Sequence, residues 1–149
     1  MTSGEAASRS PAVPGPVLAW GLAGLIPFAG LPALAFFLPA LAAWSDRALG
    51  LYAAVILSFL GGARWGQAVQ STRPDAGLIA LCMGPSVAAW GLVLLPDTHR
   101  GLQMAALAAA LALHLLWDAR AVGLPPWYPR LRLLLTGAAV ASLAVAILI

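Results

Sequence analysis

The chain has 149 residues, of which 62% are hydrophobic and only 9% charged. A water-soluble domain carries about 25% charged residues, so a soluble globule is excluded, and the length allows one compact bundle without a second domain. The formal charge of +3 rests on eight arginines with no lysine; beside apolar runs these point to orientation and lipid head groups rather than to nucleic acid.

Residues 1–15 read as a disordered tail, and residues 16–149 as a single transmembrane domain. The leading segment is barely positive, and the apolar run after it exceeds the 7–15 residues of a signal-peptide core, so the first span is expected to be retained. Apolar stretches follow at Val17–Phe37, Leu49–Val69, Ala76–Leu95, Leu102–Trp117 and Leu133–Ile149. A helix crosses ~30 Å of hydrocarbon with about 20 apolar residues, so the expected fold is all-α, a bundle of five transmembrane helices.

In the first stretch Pro27, Pro32 and Pro39 interrupt the helical pattern. Two readings stay open: a kinked helix ending near Phe37 with a shallow segment carrying Trp44, or one tilted helix running to Trp44. Ser45-Asp46-Arg47 reads as a tight turn, with Ser45 or Asp46 as N-cap of the second helix. In that helix Ser58, Gly61, Gly62 and Gly66 form a stripe of small residues on which a neighbour can pack closely, with Phe59 turned elsewhere. The third stretch kinks at Gly84-Pro85-Ser86. The fourth ends in His114, Trp117 and Asp118, and the segment Gly123–Arg132 reads as a polar loop before the fifth.

With five spans, Arg9, Arg64, Arg73, Arg120, Arg130 and Arg132 share one side, against Arg47 and Arg100 on the other. The positive-inside rule then puts the N-terminus in the cytoplasm and the C-terminus outside. The single Cys82 and the two histidines, His99 and His114, match no metal, haem or disulfide spacing. Neither a metal nor another cofactor is expected.

Gly24–Phe28, the run Tyr52–Gly66 with its Ser58-Phe59-Leu60-Gly61-Gly62 core and Trp65-Gly66, and Trp117-Asp118 followed by Pro126-Trp127-Tyr128 resemble one family. It is the family of small bacterial and mitochondrial proteins similar to transmembrane protein 69, a domain of unknown function. The resemblance covers nearly the whole chain from Val17. It implies a topology and a bacterial inner-membrane home, which makes the outer side, that of the C-terminus, the periplasm, and it implies no activity. Relatives often carry histidine where this chain has Arg64, so the resemblance implies no chemistry there.

Several residues are candidates for a site. Arg64 and Trp65 follow the Gly61-Gly62 pair and suit either an anion grip at the mouth of the bundle or head-group snorkelling. His114 and Asp118 stand four apart on one helical face and could form an intramembrane polar pair. Trp117, Trp127, Tyr128 and Arg130 complete a candidate ligand- or lipid-binding set. Arg64 and Asp118 end their spans on the same side. They either pair inside the bundle, with Tyr128 or the nearby loop backbone as third member, or both point outward to lipid.

No catalytic constellation is present in the sequence, so an enzyme is not expected. The first functional expectation is an accessory or assembly subunit binding other integral membrane proteins. The alternative is a small-ligand or lipid-binding protein with a cavity facing the cytoplasm, and a third is a transporter or proton relay. Membrane lipids are expected partners, and nucleic acid is not.

Overall fold

The computed structural model describes residues 12–121 and 123–149, so the tail expected over residues 1–15 lies mostly outside the described residues. Among the described residues there is no strand. The helices are α1 (Gly15–Ala23), α2 (Ile26–Phe37), α3 (Ala42–Ala68), α4 (Ala76–Val93), α5 (Arg100–Asp118) and α6 (Tyr128–Leu148), with 3₁₀ turns at Pro39–Leu41 and Asp97–His99. Helices α1 and α2 combine into one membrane-length segment, Gly15–Phe37. The others are Pro39–Ala68, Ala76–Val93, Asp97–Asp118 and Tyr128–Leu148, which makes five among the described residues. The chain is a helical bundle with five helices suited to crossing a membrane.

The first span breaks where its sequence offers a reason. Pro27 has no N–H and restricts Ile26 before it, so the helix restarts as α2 with Pro27 in its first turn, where the missing donor costs nothing. The break leaves the Gly24 carbonyl, which accepts a hydrogen bond from Tyr52 Oη of α3 at 2.9 Å. Such outside donors are what make a broken helix tolerable in lipid. Pro39 stops α2 in turn: Leu38 ahead of it is non-helical, at φ −128° and ψ 78°.

This placement corrects the expected turn at Ser45-Asp46-Arg47. The reversal falls at Leu38–Leu41, and all three residues, with Trp44, lie inside α3. Neither Ser45 nor Asp46 caps the helix, and both are buried. The kinked helix ending at Phe37 is found, but the shallow segment carrying Trp44 is not.

Helix α3 is the hub, packing on α2, α4 and α5, while α5 packs on α6. Its buried row Leu49, Ala53, Leu57, Leu60 recurs every three or four residues, as one face of a helix must. On α5 the row is Met104, Leu107, Leu111, His114 and Asp118, all buried. An apolar stripe thus ends in two polar residues still aimed at the bundle interior.

The close approach of α3 and α4 depends on a single glycine. A Cβ on Gly61 would stand 2.8 Å from the Cys82 carbonyl oxygen and 3.1 Å from Pro85 Cβ. One turn away, the hydroxyls of Ser58 and Ser86 are hydrogen-bonded at 2.9 Å. The wider stripe expected here is corrected: Gly62 and Gly66 have no neighbouring element within reach of a Cβ. Each residue turns the helix by about 100°, so Gly62 leaves the face that Gly61 occupies. Phe59 points outward, as expected.

The last helix starts earlier than its apolar run. Pro129 sits in the first turn of α6, where its fixed φ favours helix initiation. Tyr128, Arg130 and Arg132 are therefore helical and do not belong to the loop assigned to them from sequence.

Candidate functional site: a buried ionic centre at Asp118

Asp118 closes the buried face of α5, and two other helices, α3 and α6, converge on it. Arg132 Nε of α6 donates to Asp118 Oδ2 at 2.9 Å. Arg64 Nε of α3 lies 3.7 Å from Oδ1. Tyr128 Oη stands 3.5 Å from Oδ2, and His114 Nδ1, one turn back along α5, also lies 3.5 Å from it. The Arg64 guanidinium sits 4.8 Å above the Trp117 ring, and His114 meets that ring edge-on at 5.3 Å. Arginine over an indole face is attracted by the ring quadrupole, so Trp117 helps to hold Arg64 inward.

The centre is buried. Side-chain exposure is 3% for Asp118, 2% for His114, 8% for Arg132 and 15% for Arg64. Arg64 is therefore turned inward, and the snorkelling alternative fails for it. The formal charges do not cancel: two guanidiniums face one carboxylate, with His114 counted as neutral. Nor is the hydrogen bonding complete. Arg64 Nε, Arg132 Nη2, Asp118 Oδ1, both His114 ring nitrogens and Thr136 Oγ1 are buried without a hydrogen-bond partner. Such donors are costly to leave unsatisfied in a low-dielectric interior. Arg132 and Thr136 also line a cavity of about 160 Å³ between the first span, α3 and α6.

Of the residues singled out from sequence, the fold brings together Arg64, His114, Trp117, Asp118 and Tyr128. Tyr128 occupies the position expected of a third member. Trp65 and Arg130 are exposed and stand outside the centre. Trp127 touches it only through Tyr128, at 6.0 Å between rings. Sequence reasoning missed Arg132, which makes the shortest contact to Asp118, and Thr136. The signal was there: Tyr128, Arg132 and Thr136 are spaced four apart and share a helical face once α6 is started at Tyr128 with Pro129 in its first turn.

The opposite end of the bundle carries a smaller polar cluster. Arg100 Nη1 donates to Asp46 Oδ2, Arg47 and Asp97 form an exposed pair at 3.8 Å, and Gln103 Nε2 donates to the Leu92 carbonyl at 2.9 Å. Asp46 and Arg64 are eighteen residues apart on α3, and Arg100 and Asp118 eighteen apart on α5. At 3.6 residues per turn that is about five turns, so both charges of each helix lie on one face. The two helices run parallel with opposite charge order, acid then base on α3 and base then acid on α5. Both pairs can form only in this register.

Among the described residues no group of three or more His, Cys, Asp or Glu is placed to hold a metal ion. Together the fold and the centre define a polytopic α-helical membrane protein with a cationic, partly unsatisfied polar site buried at one end. The chain belongs to the family described as protein of unknown function (DUF3429), whose match covers residues 13–148. It is 37% identical over 139 residues to transmembrane protein 69 of Xenopus tropicalis. That alignment takes in 87% of this chain and 53% of the relative, so the chain spans about half the relative's length. No solved structure matches.

Proposed function

We propose that the protein is a multi-pass inner-membrane binding protein that holds a small acidic ligand or lipid at the Asp118 centre. The observation that carries this reading is the surplus of buried cationic donors: Arg64 and Arg132 share one carboxylate, and Arg132 Nη2 has no partner. A charge at membrane depth is expensive unless compensated, and an acidic group would supply both the charge and the acceptors. Six arginines against two support a cytoplasmic N-terminus and Asp118 centre, with the C-terminus periplasmic. The site is read as one that binds rather than transforms, because it presents donors around a fixed acid and no activated nucleophile. A proton relay is less well supported, since both oxygens of Asp118 are already faced by arginines.

Native mass spectrometry of protein extracted from its own membranes tests this. An acidic molecule should be retained one per chain, and Arg132→Gln should release it. Ligand-free spectra for both proteins would refute the reading.

An accessory or assembly role remains the second reading, favoured by α4. That helix buries only Cys82 and Ala89, and presents Leu81, Met83, Val87 and Trp90 outward. Recovery of a defined complex through a tagged chain, lost on substituting Met83 and Trp90 by Ala, would support it. A lone monomer from native membranes would count against it.

A further inference from the structure

Arg64 faces two ways. Its Nε is turned to Asp118, while its Nη1 donates to Gln67 Oε1 at 3.3 Å in an exposed hydrogen bond. Arg64 and Gln67 also line a cleft of about 340 Å³, together with Ser71, Arg73, Asp75 and Leu78. The cleft lies where two spans leave the membrane: one ends at Ala68, the next begins at Ala76, and the lining straddles both ends. Ser71 holds the turn between them, its hydroxyl donating to the Arg73 carbonyl at 3.2 Å and accepting from the Arg73 N–H at 3.3 Å. The Arg73 side chain is exposed and has no ion-pair partner among the described residues. Asp75 is the acid of the cleft, and its carboxylate caps α4 by accepting from the Leu78 N–H at 2.6 Å. There the dipole of α4 offsets part of its charge.

We infer that this cleft binds a phosphate group between the outer edge of Arg64 and the guanidinium of Arg73, and that a phospholipid head group supplies it. The site is separate from the buried one proposed above and meets it only at Arg64. Three observations select the chemistry. Across the cleft and the Asp118 centre, Arg64, Arg73 and Arg132 stand against Asp75 and Asp118, which leaves one positive charge in excess. A phosphodiester carries one negative charge. The two guanidiniums come from different segments, the end of α3 and the turn after it. That arrangement suits a tetrahedral anion with oxygens on several sides, whereas a planar carboxylate is satisfied by one arginine fork. The third observation is depth. Leu78, which lines the cleft, and Trp65 and Val69 in the same stretch are exposed. They offer acyl chains an apolar surface at the level where tryptophan marks the membrane interface.

The test uses the delipidated full chain in detergent, with binding read by native mass spectrometry and by the shift in melting temperature. The probes are dioleoyl phosphatidylglycerol, dioleoylglycerol, oleate and inorganic phosphate. The first phosphatidylglycerol bound should be held about tenfold more tightly than dioleoylglycerol, the worth of a charge-assisted contact. Arg73→Gln should remove that preference and leave dioleoylglycerol unchanged. Arg73→Lys should keep most of it, because an ammonium still serves phosphate as a point charge. Arg73 is exposed, so the ligand-free variants should melt with the parent. Arg73 is also no part of the Asp118 centre, so an acidic molecule retained by Arg73→Gln reports on that centre alone. Inorganic phosphate bound as tightly as the lipid, and lost on Arg73→Gln, would keep the phosphate group and overturn the lipid as its source. Oleate released by Arg73→Gln to the same extent would overturn the selection of phosphate. Equal binding of phosphatidylglycerol and dioleoylglycerol, or phosphatidylglycerol binding unmoved by Arg73→Gln, would overturn the site.

Discussion

Arg132 and Asp118, fourteen residues apart in sequence, join α6 to α5 through a buried hydrogen bond of 2.9 Å from Nε to Oδ2. Because Arg64 reaches the same carboxylate from α3, one acidic side chain holds three helices at a common depth. Removing Asp118 leaves two buried cations facing each other, and breaking a buried pair by removing one partner typically costs about 3–5 kcal/mol. Asp118→Asn should therefore sharply reduce folded protein and melting temperature in detergent. Arg64→Gln should be milder, since its contact is longer and Arg132 remains. Equal effects of the two substitutions would show that Asp118 is not the focus of the cluster.

The two neighbouring glycines of α3 should behave differently. Gly61→Ala places a methyl against the Cys82 backbone carbonyl, an overpacking that typically costs about 1–3 kcal/mol. Gly62→Ala adds its methyl to open space and should be neutral or slightly stabilising, as alanine is the better helix former. A thermal shift comparison of both proteins in one detergent decides the matter, and equal losses would refute the assigned packing face.

The register of α3 against α5 can be tested by exchanging charges. Asp46→Arg and Arg100→Asp should each lower the yield of folded protein, and the double exchange should recover most of it. The coupling between contacting charges is typically about 0.5–3 kcal/mol. Additive losses in the double variant would mean that the pair does not set the register.

Tyr52→Phe removes the donor to Gly24 at the break of the first span. Without it the freed carbonyl faces hydrocarbon, and faster hydrogen exchange is expected over Gly21–Leu25 with little change elsewhere. Uniform exchange across the chain would instead mean that the contact does not hold the break.

What could be read from the sequence was what hydropathy and helical spacing encode: five spans, their order, and the single helical face shared by His114 and Asp118. Prolines misplaced two boundaries. Around Pro39 the sequence leaves open a helix ending near Phe37 or one running to Trp44 and puts the turn at Ser45-Asp46-Arg47 in either case, although Pro39 ends α2 and lets α3 begin at Ala42. Pro129 was read as loop, although proline in a first turn starts helices as readily as it stops them. That second misreading hid Arg132, because a residue in a loop has no assigned face. The stripe through Gly61, Gly62 and Gly66 failed for a different reason: small residues show where close packing is possible, but only the neighbour's position, here Pro85, shows which one is used. Charge balance inside the centre was likewise illegible, since it depends on α6 arriving beside α5.

The two ionic ends of the bundle also set a length. Asp46 to Arg64 on α3 and Arg100 to Asp118 on α5 each span eighteen residues, about 27 Å of helix. That figure is close to the hydrocarbon thickness of the thinner biological membranes and a few ångströms short of the ~32–33 Å of sterol-rich ones. The paired charges act as a gauge: a thicker bilayer would draw one end into oil, and tilting, which only shortens a span's reach, offers no relief. Reconstituted into phosphatidylcholines of increasing acyl length, the protein should be most stable in the thinner bilayers and lose stability as thickness passes its ionic bands.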